Sequence, residues 1–130
     1  MEEKKIIVDT NIIISKKFLD LNNVIVTESV VQELAEFIFQ KYLDYMNSSQ
    51  QERANGYIKL FKYLIEYLSK YPLLSHSFKD YIQAIDLSTS RNIDVTDALL
   101  VITALKLNTV IMTKDKDFER VKDLVKIKYL

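Results

Sequence analysis

Cysteine is absent from this 130-residue chain, and histidine, proline and glycine occur once each, as His76, Pro72 and Gly56. Without cysteine there are no disulfides, thiol nucleophiles or thiolate metal sites. A lone histidine leaves Ser-His-Asp triads and imidazole metal sites without support, so any metal would be hard and oxygen-bound. Net charge is missing too: 18 basic residues balance 18 acidic ones, and no overall basic field advertises nucleic acid. No run of 18 apolar residues occurs, and the opening Met1-Glu2-Glu3-Lys4-Lys5 lacks the apolar stretch of an export signal. The expectation is a cytoplasmic protein with no membrane partner.

What is present suits one domain, residues 1–130, with a sizeable core: 48% of residues are hydrophobic and 28% charged. Strands are predicted at Ile6–Val8, Val24–Val26, Leu73–Leu74, Thr109–Met112 and Val125–Ile127, the longer ones continuous apolar runs of the kind buried on both faces. Helices are predicted between them. One runs from a cap at Thr27 or Ser29 to about Met46; the next carries Tyr57, Phe61, Leu64 and Leu68 on one face. A third has Phe78, Ile82 and Ile85 as its apolar stripe and ends near Asn92; a fourth, Asp94–Leu107, is apolar nearly all round and therefore central. Phe118–Asp123 is a short helix opened by Asp117. Strands separated by helices imply an α/β fold with a parallel sheet, whose ligands sit beyond the carboxyl ends of the strands.

The acidic residues fall at that edge. Asp9 follows the first strand, Glu33 lies in the first turns of the helix after the second, Asp97 in the first turn of the apolar helix, and Asp115 just after the strand that helix leads into. Carboxylates brought together repel by a few kcal/mol per close pair at an effective dielectric of about 20, so such a cluster calls for a cation, protons or intervening water. Magnesium or manganese would resolve it and would bind phosphate oxygens. Each residue also has a plainer role: Asp9 as a turn residue, Glu33 as part of a solvated face with Glu36 and Gln40, Asp94 and Asp97 as cap and first-turn acid, Asp115 and Asp117 as turn and cap. His76 reads as a loop residue. Lys106, Lys114, Lys116, Arg120, Lys122, Lys126 and Lys128 crowd the last quarter of the chain, either as a phosphate-attracting patch or as a solvated face interleaved with acids.

In their order and spacing, "IIVDTN", "SVVQEL", "DVTDALLVITAL" and "MTKDKDF" resemble the motifs of the PIN-domain nucleases, specifically the small VapC-like toxin ribonucleases. The resemblance covers nearly the whole chain and implies a three-layer fold, a short, mostly parallel sheet of four to five strands flanked by helices. It implies a divalent-metal-dependent endoribonuclease, the toxin of a toxin–antitoxin pair, with RNA as substrate and an antitoxin as partner. Carried over by motif, Asp9, Glu33, Asp97 and Asp115 would be the metal-binding, catalytic carboxylates for Mg2+ or Mn2+, with Asp117 an additional acidic position and Thr10, Asn11 and Thr113 in support. Asp97 is preferred to Asp94 because Ala98-Leu99 follow it as in the family motif.

Two other functions compete. An aspartyl-phosphate phosphatase with Asp9 as nucleophile is disfavoured because Asn11 stands where a second acid is wanted. A non-catalytic RNA-binding or partner-binding PIN-like module is opposed by the intact set of acids. The aromatic residues Tyr57, Phe61, Tyr63, Tyr67 and Tyr71 exceed what a small core obviously requires, so they point either to a homodimer or an antitoxin complex through that region or simply to core.

Overall fold

The computed structural model describes residues 5–130; the charged segment 1–4, read above for the lack of an export signal, lies outside the described residues. Ile6, Ile7 and Val8 form β1 (Ile6–Val8), which pairs with β2 (Val24–Thr27) on one side and β4 (Val110–Thr113) on the other. The edges are β3 (Leu73–Leu74) and β5 (Lys126–Tyr129), giving the order β3-β2-β1-β4-β5 with every pairing parallel. Ile7 stands opposite Ile25 and Ile111, and all three are buried, as a parallel sheet covered on both faces demands.

The helices are α1 (Thr10–Ile14), α2 (Glu28–Asn47), α3 (Gln51–Leu68), α4 (Phe78–Arg91) and α5 (Val95–Leu107), with a short 3-10 helix at Lys116–Val121. Their ends follow from local chemistry. Thr27 caps α2 through its hydroxyl, which accepts the N–H of Val30 at 3.4 Å. Ser77 and Asp80 form a reciprocal capping box at the start of α4, and Asn92 ends it in the left-handed conformation, φ 56°, that asparagine tolerates. Asn108 ends α5 in the same way, at φ 51°. The central placing of α5 holds: Ala98, Leu99, Leu100, Val101 and Ala104 are all buried. No described helix is long and apolar enough to cross a membrane.

Three readings of the sequence are corrected. First, α1 has no counterpart in the predicted elements; one turn of helix forms directly after β1 because Asp9 caps it and Ile12 and Ile13 have core to enter. Second, α4 forms as expected but turned over. Phe78, Ile82 and Ile85 are 90%, 61% and 50% exposed, whereas Asp80 and Ala84 face inward. Asp80 is held there by Ser77 and by an ion pair with Lys106 of α5, so its polar requirement is met within the fold. Third, of the two roles left open for the aromatic residues of and after α3, interface or core, most take the core. Tyr67 and Tyr71 meet Phe18 edge-on at 5.5 and 6.2 Å, and their hydroxyls donate to the carbonyls of Leu19 (3.0 Å) and Leu21 (2.9 Å). Tyr57 and Phe61 also pack on the core, leaving Tyr63 exposed under Lys16. These contacts tie down the connection from α1 to β2. Smaller shifts occur at β4 and β5, which begin one residue later than expected, and at the 3-10 helix, which Asp115 caps instead of Asp117.

Urea unfolding gives a direct check on these orientations. Leu100→Ala, deleting a fully buried side chain, should cost about 2–5 kcal/mol. Phe78→Ala should stay within about 0.5 kcal/mol of the parent protein, the ordinary effect of a surface change.

Candidate active site

The strand order places β1 and β4 side by side although the chain visits β2 and β3 between them, which makes the crevice beyond their carboxyl ends the point where the order reverses. Asp9 leaves β1 there as the N-cap of α1, its Oδ1 accepting the N–H of Thr10 at 2.8 Å. Its Oδ2 accepts from the Thr113 hydroxyl, 2.8 Å away at the end of β4, and from Asn11 Nδ2 at 3.3 Å. Asn11 also donates to Thr113 Oγ1 (3.4 Å) and accepts the N–H of Lys114 (3.1 Å), so it latches the two strand ends together. The Thr113 hydroxyl oxygen in turn accepts the N–H of Asp115 at 2.9 Å. One buried threonine therefore aims two carboxylate-bearing positions.

Asp9, Glu33, Asp94, Asp97 and Asp115 line one cavity of about 350 Å³, with Thr10, Asn11, Ile14 and Phe37 completing its wall. The residues carried over as catalytic thus come together from four separate segments. Asp117 does not line the cavity; it pairs with Arg120 at 3.7 Å, and its N–H serves Asp115 Oδ1 at 2.9 Å. Asp94 occupies the N-cap position of α5 without a side-chain cap bond, so the capping role expected for it is not made and its carboxylate stays with the cavity. Thr10 supports Asp9 through its backbone; its hydroxyl is buried and has no hydrogen-bond partner among the described residues. His76 lies outside this cavity, hydrogen-bonded to Ser29 Oγ at 3.0 Å. The sequence carried no signal for Ile14 and Phe37, because their place in the wall depends on α1 and on the rotation of α2.

The electrostatics are those of crowded like charge. Asp97 is only 7% exposed, and burial together with Asp9, Asp115, Glu33 and Asp94 pushes its carboxyl up to about 8. Burial likewise raises Asp9, opposed by the hydrogen bonds from Thr113 and the Thr10 N–H and reinforced by the charges of Glu33 and Asp115. Among the described residues no Lys or Arg forms an ion pair with any of the five acids; the described ion pairs lie elsewhere. Among the described residues no group of three His, Asp or Glu side chains is arranged to hold a metal ion as placed. The donor chemistry nonetheless fits a hard divalent cation: carboxylate oxygens, an orphaned buried hydroxyl, and a mutual repulsion that a dication would relieve.

A pH dependence follows for the protein in chelator. Between the unfolded value of 3.8 and the folded value of about 8, native Asp97 holds a proton that the unfolded chain has released. Its contribution to stability is full below the lower value and is lost as pH rises through the upper one, with a slope of at most about 1.4 kcal/mol per pH unit. Denaturant melts from pH 4 to 9 should show this decline in the parent protein and in Asp94→Asn, and its loss in Asp97→Asn. A decline unchanged in Asp97→Asn would assign it to another group.

Several solved structures share this architecture. A chain of VapBC-5 from Mycobacterium tuberculosis, a member of the VapBC family of toxin–antitoxin systems, matches with a TM-score of 0.63 at 15% identity, over 98% of this chain and 98% of that one. Chains of the DNA-bound VapBC from Salmonella typhimurium (TM-score 0.59, 16% identity, 98% of each chain) and of VapBC2 from Rickettsia felis bound to a promoter DNA fragment (TM-score 0.55, 17% identity, 95% and 97%) are similar too. Comparison with curated proteins gave no match. The PIN domain model matches residues 6–124, a span that holds β1, the acidic cavity and β4, and the chain belongs to the PIN domain family.

Proposed function

We propose that this protein is a divalent-metal-dependent endoribonuclease, the toxin of a toxin–antitoxin pair, acting in the cytoplasm. The observation that carries this reading is the convergence of Asp9, Glu33, Asp97 and Asp115 on one cavity, with no ion pair to a basic residue among the described residues. Those four residues would hold Mg2+ or Mn2+, and Asp94 stands close enough to the cavity to take part. When bound, such an ion supplies charge neutralisation at phosphoryl oxygens and activation of a water nucleophile.

The chain's own residues supply position and proton control. Thr113, Asn11 and the Thr10 N–H hold Asp9 in one orientation, so its carboxylate needs little reorganisation when substrate arrives. Asp97 must give up a proton to become a ligand, which makes cation affinity rise with pH through neutrality. Ile14 and Phe37 form an apolar rim that limits water on one side of the cavity. The fold's likeness to chains from toxin–antitoxin pairs supports an antitoxin partner, and the outward stripe of α4, Phe78, Ile82 and Ile85, is the surface that association, with antitoxin or with a second copy, would cover.

Incubation with RNA in Mg2+ or Mn2+ should give cleavage leaving 5′-phosphate and 3′-hydroxyl ends, abolished by chelator. Asp9→Asn and Asp97→Asn should each lower the rate at least about 100-fold, the scale on which one electrostatic contact in a preorganised site acts. Mg2+ should also raise stability by about 2.7 kcal/mol when free ion is 100-fold above its dissociation constant. Undiminished cleavage in excess chelator would overturn the mechanism.

A further inference from the structure

The first helix ends on a lysine where its backbone calls for something smaller. Lys17 and Lys16 donate their N–H groups to the carbonyls of Ile12 (3.2 Å) and Ile13 (3.0 Å), the pair of bonds that closes a helix when the residue past the cap is left-handed. Lys16 stands there at φ 62°. The other described residues in that conformation, Ser49, Asn92 and Asn108, are all small and polar. Glycine adopts it freely and asparagine readily; a lysine is strained in it. Strain kept where a simple substitution would remove it points to a use for the side chain.

That side chain runs to α3. Lys16 Nζ lies 5.8 Å from the centre of the Tyr63 ring, the Tyr63 and Tyr67 rings are 6.4 Å apart, and Lys70 Nζ lies 4.4 Å from the centre of Tyr67. Two ammonium groups from separate segments are thus held over adjoining rings. Lys59, also exposed, is one helical turn before Tyr63 on the same face of α3. Among the described residues none of these three lysines is in an ion pair, whereas Lys106, Arg120 and Lys122 in the last quarter of the chain are matched with Asp80, Asp117 and Glu119. Glu66 is the only acid between Lys59 and Lys70. In a chain of zero net charge, uncompensated positive charge collects here.

Its place relative to the acidic cavity says which polyanion it suits. Ile14, the last residue of α1, lines that cavity, and Lys16 follows two residues later. On another side Glu33 also forms a wall of a second cleft, about 600 Å³, with Glu28 and Glu36. A nucleic-acid strand with one phosphate in the cavity is repelled toward neither lysine nor ring there; it meets two more carboxylates. Past the end of α1 it meets Lys16. The acids of the cavity themselves oppose the approach of a polyanion, so affinity has to come from positive charge outside it.

We propose that Lys16, Lys59 and Lys70 form an exosite for the phosphate backbone of RNA, so that the strand flanking the reacting bond runs from the cavity past the end of α1 onto α3. This rests on the nuclease reading above and adds where the rest of the substrate is held. The exosite contacts phosphates and not bases, and it supplies affinity without chemistry: its loss raises KM and leaves kcat in place.

Lys16→Asn removes the charge and suits the left-handed backbone, so its urea midpoint should equal or exceed that of the parent protein. Binding of a labelled, unstructured RNA, followed by anisotropy in an Asp9→Asn background that leaves it uncut, should weaken, and the slope of log affinity against log salt should fall by about 0.7 for each lysine lost, or about 2 in Lys16→Asn/Lys59→Gln/Lys70→Gln. With the acids intact, each single change should raise KM roughly 5-fold at 0.1 M salt, the factor a slope of 0.7 gives between 0.1 and 1 M, at constant kcat. Lys16→Arg should bind as the parent does. A triple variant with unchanged affinity and salt slope overturns the exosite and leaves the nuclease reading intact. An equal loss in Lys126→Gln/Lys128→Gln, two exposed lysines of β5, overturns it as a general charge effect, and a triple variant that loses binding to anionic lipid vesicles but not to RNA overturns it in favour of a membrane surface. The expected loss of RNA binding in a protein that cleaves no RNA supports the exosite while removing the nuclease reading.

Discussion

A single hydroxyl group, that of Thr113, joins residues 104 positions apart when it donates to Asp9 Oδ2. That contact exists only because β1 and β4 are neighbours in register, Val8 opposite Met112, which puts the next residue of each strand at the same height. The same oxygen accepts the N–H of Asp115, so the turn after β4 and the cap of α1 share one buried atom. Shifting the register by one residue would turn Thr113 to the other face of the sheet and release both carboxylates. Asn11 supplies a second tie, from Asp9 to the backbone of Lys114. The cavity is therefore a property of strand pairing and not of the loops around it.

That anchoring matters because the site works against its own stability. Elsewhere the fold neutralises acids locally: Asp80 sits inward with Lys106, whose charge and the Ser77 backbone N–H hold its carboxyl below the usual carboxylate range, and Asp123 binds Arg91 through two nitrogens. In the cavity no described residue offers such a partner, and Asp97 keeps a proton up to about 8 as the alternative to repulsion. Like charges this crowded would be dispersed by a mobile loop. Here they are carried by a strand end, by α2 and by the buried first turn of α5, which cannot move apart without opening the core that Leu34, Leu99 and Leu100 fill. The hydrophobic sheet and central helix thus hold together what electrostatics would separate.

Much of this was legible in the sequence where one signal decided the outcome. Continuous β-branched runs announced buried parallel strands, Thr27 and Asn92 announced a helix start and a helix end, and the acids fell on the carboxyl edge because the alternation of strands and helices fixed where that edge was. What was not legible required knowing two elements at once. The stripe Phe78, Ile82, Ile85 has a good helical period, but period says only that one face is apolar. Which face turns inward was decided by Asp80, whose capping box and ion pair with Lys106 made a buried acid tolerable. The aromatic surplus after Tyr57 was likewise ambiguous until Phe18 and the carbonyls of Leu19 and Leu21 appeared as its partners. The five-residue α1 is too short to show a period at all.

The inverted α4 also separates two demands that a small protein must meet on one chain. Its inner face is polar enough to be satisfied without a large apolar contact, through Asp80, Ala84 and the partly buried Leu87. Its outer face keeps Phe78, Ile82 and Ile85 open, next to the exposed ring of Tyr81. Had the apolar stripe faced α5, the helix would be better buried and its surface would be inert. An isolated domain gains nothing from the arrangement actually seen, since exposed apolar area of this extent favours association. None of the described hydrogen bonds that build the acidic cavity involves α4; they join Asp9, Thr10, Asn11, Thr113, Lys114, Asp115 and Asp117. The exposed stripe and the acidic cavity thus belong to different elements, and α5, packed against α4 and carrying Asp97, is the element that connects them.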